Sequence, residues 1–182
     1  MTQSCTMVGR WEPWYRASAR FTHSYGPHLT YEIAEAWLKG LAIEDWGCGY
    51  ARFREMHEGG YLGLDGSGGW ADRIVDLRES PTTQRPEGIL LRHVLEHNPD
   101  WYVVLSHAVA HFEKRLVLIL FTPDSESLTS RPIGDVPELG VVDLALPHRV
   151  VDTSFAACRT VDRRHYPTAT GYQGETVWLV ER

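Results

Sequence analysis

The densest run of chemistry-bearing residues is IEDWGCGYARF, residues 43–53. An apolar stretch ends in an acidic pair, and Gly47-Cys48-Gly49 follows. Glycine lets a backbone turn sharply and approach a ligand closely. The pattern predicts a short helix beyond the turn, whose first N–H groups have no partner within the helix. Asp45 can accept a hydrogen bond from a ligand ammonium group. Together these features predict a nucleotide-type site at the carboxyl end of a strand, where open α/β sheets bind ligands. The next apolar run, YLGLD, ends in Asp65, sixteen residues after Gly49. Its two oxygens suit the two hydroxyls of a ribose. A third run ends at Asp76-Leu77, an acid able to accept from an adenine amino group and a leucine able to pack against the ring. His93 and His97 lie four apart. An unperturbed imidazole titrates near neutrality, so either suits a general base.

These residues need elements to hold them. Short apolar runs at LAIED (41–45), YLGLD (61–65), RIVDL (73–77), GILL (88–91) and RLVLILF (115–121) read as strands. Most are apolar without alternation, as in parallel strands buried on both faces. Between the last two, DWYVVLSHAVAHFEK carries Trp101, Val104, Leu105, Ala108 and Phe112 at helical spacing. Upstream, Thr30 reads as the cap of a helix over YEIAEAWLKG, with Gly40 as its stop. Downstream, residues 122–182 read as a Pro/Ser/Gly-rich loop, a short helix after Pro147, and a closing antiparallel hairpin of ACRTVDRRHYP with GETVWLVER. Strands separated by helices predict an α/β sheet.

Length and composition narrow the classes. The chain has 182 residues, 43% hydrophobic and 23% charged, which fits one soluble globular domain. Within it we expect an N-terminal cap and helix (1–39), a cofactor-binding core (40–121) and the closing loop, helix and hairpin (122–182). No apolar run approaches the ~18 residues of a membrane span, and MTQSCTMVGRWEPWYR lacks the apolar core of a secretory signal. The net charge is −6. That makes nucleic acid an unlikely partner, because a basic face usually drives such binding. The three cysteines, Cys5, Cys48 and Cys158, form neither a disulfide framework nor a zinc pattern. A reducing cytoplasm is the expected compartment. His107 and His111 stand at a metal-ligand spacing without a third ligand, so no metal is expected.

With these residues in view, the sequence resembles the class I S-adenosylmethionine-dependent methyltransferases. Asp45-Trp46-Gly47-Cys48-Gly49 matches the family's acid-x-Gly-x-Gly signature, with Ala51 in place of the third glycine. Asp65 in GLDGS matches the acid after the second strand, and Asp76-Leu77 the acidic position after the third. His93-Val94-Leu95-Glu96-His97 matches the V-L-E-H stretch common after the fourth strand of small-molecule methyltransferases. The resemblance implies a Rossmann-like methyltransferase fold, mostly parallel, with a C-terminal antiparallel hairpin. It implies S-adenosylmethionine as cofactor, with Gly47, Cys48 and Gly49 against its methionine part. Asp65, with Gly66 and Ser67, would take the ribose, and Asp76 and Leu77 the adenine. The backbone near Arg92 and His93 would sit by the methionine amine or the reacting centre, and His93 and His97 are the catalytic candidates.

The chain departs from the pattern in its connections. Only residues 66–72 separate the second and third strands, and residues 78–87 the third and fourth. A parallel crossover usually needs about a dozen residues or more, so these crossover helices are expected to shrink to loops. Two readings stand for Trp11, Trp14, Tyr15, Phe21, Tyr25 and Tyr31: cover for a sheet edge, or a lid over a sulfonium, since aromatic faces attract cations. Trp70 is a candidate to stack near adenine or ribose. The expected activity is methyl transfer to a small-molecule acceptor. Alternatives are an RNA or protein methyltransferase and a non-catalytic S-adenosylmethionine-binding module. A nicotinamide oxidoreductase would want glycine at position 52, where Arg52 stands.

Overall fold

The computed structural model describes residues 8–13, 15, 29–68, 70–79, 85–136, 140–170 and 172–182. Trp14, Phe21, Tyr25 and Cys5 lie outside them. Helix α1 (Leu29–Leu38) precedes strands β1 (Ile43–Trp46), β2 (Tyr61–Asp65), β3 (Arg73–Ile74) and β4 (Gly88–Arg92). Then come α2 (Trp101–His111), β5 (Arg115–Leu120), β6 (Arg131–Val136), β7 (Val141–Ala145), α3 (His148–Ser154), β8 (Arg159–Pro167) and β9 (Gly174–Glu181).

Seven strands form one sheet in the order β3-β2-β1-β4-β5-β9-β8. The first five run parallel, and β9 lies antiparallel to both β5 and β8. The side-chain period of two builds a core on each face. Ile89 and Leu91 of β4 and Leu116, Leu118 and Leu120 of β5 join Trp46, Leu105, Val151 and Trp178 on the face covered by α2 and α3. Leu90, Val117 and Ile119 point the other way and meet Ala34 and Leu38 of α1, with Phe53. Burial on both faces accounts for strands that are apolar without alternation.

Four local expectations need correction. Thr30 does not cap α1: it sits inside the helix, buried, and its hydroxyl donates to Glu175 at 2.8 Å. The third strand keeps only Arg73–Ile74 of RIVDL, because that edge position buries neither residue. The helix after the glycine turn is a single 3-10 turn, Arg52–Glu55, entered through Ala51 at φ 51°. The segment after β5 is more than a loop, since β6 and β7 pair antiparallel in a separate two-stranded sheet. The reduced second and third crossovers agree with the short spacings: no helix occurs there among the described residues. Gly40 does end α1's turn at φ 77°.

Candidate functional site

The glycine turn is fastened to the end of β2. Gly47 N and Cys48 N donate to Leu64 O at 2.7 and 3.1 Å. Gly47 has φ 78°, and a Cβ there would stand 2.3 Å from Val94 Cγ2. Glycine is therefore required on two counts, conformation and the approach of the segment after β4. Cys48 packs beneath the turn: a Cβ on Gly63 would stand 2.9 Å from its sulfur. Burial pushes its thiol well above the ordinary range, as for an inert packing cysteine.

Two carboxylates stand on this turn. Asp65 Oδ2 accepts from Gly49 N at 2.9 Å, and Oδ1 from Ser67 N at 2.8 Å. Burial raises its pKa, and these amides oppose the rise. Asp45 is buried, and its Oδ2 accepts from the Tyr61 hydroxyl at 2.6 Å. Burial pushes its carboxyl up to about 7, with Tyr61 opposing and the Asp65 charge adding.

The N-terminal segment lies across the same strand end. Gly9 N donates to Gly66 O, and Trp11 N to Ser67 Oγ at 3.0 Å. The Tyr15 hydroxyl reaches Asp65 Oδ2 at 3.4 Å. Tyr15, Tyr50 and Trp70 meet edge to face, with centroids 4.8 to 6.4 Å apart. Such pairs contribute about 0.5–1.5 kcal/mol beyond area burial.

Asp76 and Leu77 are placed differently. Arg78 donates to both Asp76 oxygens, from Nε at 2.9 Å and Nη2 at 2.6 Å, and reaches Asp100 at 3.3 Å. The Arg78 guanidinium holds the Asp76 carboxyl below its usual range. Leu77 is buried in the core with Trp101 and Trp46.

The end of β4 carries a second polar group. Arg92 Nη2 contacts Glu175 Oε1 at 2.7 Å, and His93 Nε2 shares that oxygen. Thr30 completes the set on Oε2, and Arg92 lies over the Tyr31 ring at 4.3 Å. His93 has φ 58°. Burial, then the Arg92 charge, pushes its imidazole down to about 4. Burial alone would raise Glu175, but His93 and Arg92 outweigh it and hold the carboxyl below its usual range. His97 turns elsewhere. Its Nδ1 lies 3.1 Å from Asp143 Oδ1, at ion-pair distance but outside hydrogen-bond geometry. The Tyr172 hydroxyl donates to the other Asp143 oxygen at 3.0 Å. Between the histidines, Glu96 is wholly buried. It accepts from Phe121 N at 2.6 Å through Oε1, and its Oε2 has no hydrogen-bond partner. Burial pushes it up to about 8.

The structure thus brings Asp45, Gly47, Cys48, Gly49, Asp65, Gly66 and Ser67 together, and Arg92 with His93. It sets Asp76 and Leu77 against Arg78 and the core. Sequence reasoning missed Glu175, Asp143 and Tyr172. The first two left a signal: each is an acid beside the apolar run of its strand, in GETVWLVE and VVDLA. His107 and His111 face carbonyls, Leu77 O and His107 O.

No family model matches the sequence, and no curated protein is similar to it. Solved structures are similar. A 1,6-didemethyltoxoflavin-N1-methyltransferase from Burkholderia thailandensis, with S-adenosylhomocysteine and 1,6-didemethyltoxoflavin bound, superposes with TM-score 0.71 at 15% identity, over 95% of this chain and 87% of that one. The magnesium protoporphyrin IX methyltransferase of Synechocystis PCC 6803, with S-adenosylhomocysteine bound, gives 0.65 at 16% identity, over 94% of each chain. The N-methyltransferase NodS of Bradyrhizobium japonicum WM9, in complex with S-adenosylhomocysteine, gives 0.65 at 12% identity, over 92% and 97%. Strand order, the turn after β1 and these superpositions agree that this chain has the fold of the class I S-adenosylmethionine-dependent methyltransferases.

Proposed function

We propose that the protein transfers a methyl group from S-adenosylmethionine to a small-molecule acceptor. The observation that carries this reading is the pair of buried carboxylates, Asp45 and Asp65, flanking the Gly47–Gly49 turn at adjacent parallel strand ends. The donor set fits the cofactor. Asp65 takes the ribose hydroxyls, with Gly66 and Ser67 beside it. Asp45 accepts from the methionine ammonium, and the turn admits the chain between them. Bound there, S-adenosylmethionine supplies an already activated methyl group, so the protein's task is alignment. The three neighbours described above are named for methyl transfer, and two of the names specify a small molecule, 1,6-didemethyltoxoflavin and magnesium protoporphyrin IX. Arg78 competes for Asp76 and Leu77 is buried in the core, so the adenine side rests on the aromatic group of Tyr15, Tyr50 and Trp70. Residues 8–13 and Tyr15 cap the cofactor side, with the Tyr15 hydroxyl on the oxygen a ribose would use.

Titration calorimetry with S-adenosylhomocysteine tests the reading on wild type and Asp65→Ala. A hydrogen bond to a charged group contributes roughly 1.5–3 kcal/mol, so the variant should lose about tenfold to a hundredfold in affinity. A folded wild type that binds neither S-adenosylhomocysteine nor S-adenosylmethionine overturns it. Asp45 adds a pH signature. It must be ionised to receive an ammonium group, and its carboxyl sits at about 7. Affinity should rise with pH through neutrality, and binding at pH 6 should release a proton. Asp45→Asn should remove that release.

A further inference from the structure

His97 is the point where three separate parts of the chain converge. Asp143, on the β6–β7 hairpin, holds its Nδ1 side at 3.1 Å. Tyr172, in the turn before β9, fixes Asp143 through the other carboxylate oxygen at 3.0 Å. Trp11 lies against the ring at a centroid distance of 4.8 Å, and the same residue's N–H is bound to Ser67 at the end of β2. Val94, three residues before His97, touches the Gly47 turn. The imidazole is therefore tied to the cofactor side from two directions. Its Nε2 has no hydrogen-bond partner among the described residues.

The walls around His97 are flat and aromatic. Phe121 stands 5.4 Å from it, and Tyr172 5.6 Å from Phe121. With Trp11 they form three partly exposed rings. His93 touches Phe121 too, at 4.7 Å, but its Nε2 is committed to Glu175. The two histidines are thus unequal: one is locked by a buried carboxylate and an arginine, the other lies between aromatic rings with its Nε2 unbonded among the described residues.

We propose that Asp143 positions His97 as the base that takes a proton from the methyl acceptor, and that the acceptor is a flat ring carrying an acidic N–H or O–H. This rests on the methyl-transfer reading above. The acceptor's lone pair forms the new bond to the methyl carbon while its proton passes to His97 Nε2. Bond formation returns the methyl–sulfur electron pair to sulfur and turns the sulfonium into a neutral thioether. His97 leaves the step as an imidazolium beside the Asp143 carboxylate and releases the proton to solvent. Among the described residues, the titratable groups around His97 are Asp143, His93 at the end of β4 and, beyond Asp143, Tyr172. His97, then Tyr172, hold Asp143 below the usual carboxylate range despite its partial burial, so it stays an anion through neutrality. The base is held by an inserted hairpin rather than by the sheet, which ties acceptor handling to the part of the chain outside the parallel core.

The test uses the full chain with lumazine, xanthine and alizarin, three flat rings bearing N–H or O–H groups, and cyclohexylamine as an aliphatic contrast. Affinity for S-adenosylhomocysteine is measured first, on wild type, His97→Asn and Asp143→Asn. Absence of binding in all three overturns the methyl-transfer reading itself. If all three bind within about threefold of each other, methyl transfer and the dissociation constant of lumazine are then followed against pH. We expect transfer to at least one flat ring, and a kcat loss of about a hundredfold to ten-thousandfold in His97→Asn. Asp143→Asn should lose about tenfold or more, with lumazine binding little changed and partial rescue by Asp143→Glu. Both deficits should shrink at high pH, where the acceptor gives its proton to solvent. Transfer to cyclohexylamine alone, or to no flat ring by a protein that binds S-adenosylhomocysteine, overturns the acceptor class. Flat-ring turnover unchanged in both variants, or a deficit that does not vary with pH, overturns the base.

Discussion

The two ends of the candidate site are held together by different means. On the β1–β2 side, the groups that matter lie close in sequence and are joined largely through backbone amides: Gly49 N and Ser67 N on Asp65, Gly47 N on Leu64 O. On the β4 side, side chains meet side chains across long stretches of chain. Arg92 and His93 find Glu175 on β9, and His97 finds Asp143 on β7. A backbone-built site survives most side-chain changes, because every residue carries the amide. A side-chain-built one loses a buried charge's partner with a single substitution. The β1–β2 side is thus robust and general, and the β4 side is specific and fragile.

The sharpest way to break that contrast is Glu175→Ala. It strands Arg92, whose side chain is 8% exposed and whose Nε already lacks a hydrogen-bond partner. Removing one member of a buried pair costs about 3–5 kcal/mol, read as a fall in the urea midpoint. Asp65→Ala should cost less stability, since it leaves two neutral amides, not a buried charge, without their partner. If Asp65→Ala proves the more damaging, the contrast is wrong.

Next comes pH. Glu96 is uncharged up to about 8 in the folded chain and ionises near its ordinary value when unfolded. Between those values the folded state holds the extra proton, so the Glu96 contribution to stability falls as pH rises from about 4.5 to 8, while His93, pushed down to about 4, acts in the opposite sense below about 6.5. Asp45 adds to that fall between about 4 and 7. Glu96→Gln keeps the acceptor for Phe121 N and should flatten the upper part of the profile. Thermal melts at pH 5 and pH 8 read this as a gain at pH 8 and little change at pH 5.

Gly47→Ala should be the worst change on the robust side. The added Cβ meets Val94 in a left-handed turn, for a loss of about 1–3 kcal/mol. Val94→Ala in the same chain should recover the steric part and leave the conformational part. The smallest effect runs the other way. Ala51 holds φ 51°, which costs a residue with a Cβ about 1–2 kcal/mol. Ala51→Gly should therefore raise the midpoint slightly, by less than that figure because glycine loses more entropy on folding.

Much of the β1–β2 end was legible because it is local. Asp45, Gly47 and Gly49 are contiguous, and β2 was delimited residue for residue as YLGLD. The third strand was overread: apolar RIVDL meets no neighbour beyond β2, so pairing stops after two residues. Thr30 was misread for a similar reason. A hydroxyl before a helical run is a good cap by local chemistry, and only the arrival of Glu175, 145 residues later, draws it into the core instead. The β6–β7 hairpin was missed because Pro132 and Gly134 break its pattern at a bulge.

The sequence by itself determined the central strands, the glycine turn, the strand-end acids and the parallel α/β class, since apolar periodicity and backbone conformation are properties of neighbouring residues. The tertiary structure decided which partner each ionisable group receives. It gave His93 to Glu175 and His97 to Asp143, whereas Asp76 takes Arg78 only two residues away. The reason is physical. A charge's partner is set by distance in space after the sheet has closed, and strand order brings β9 beside β5 although more than fifty residues separate them in the chain.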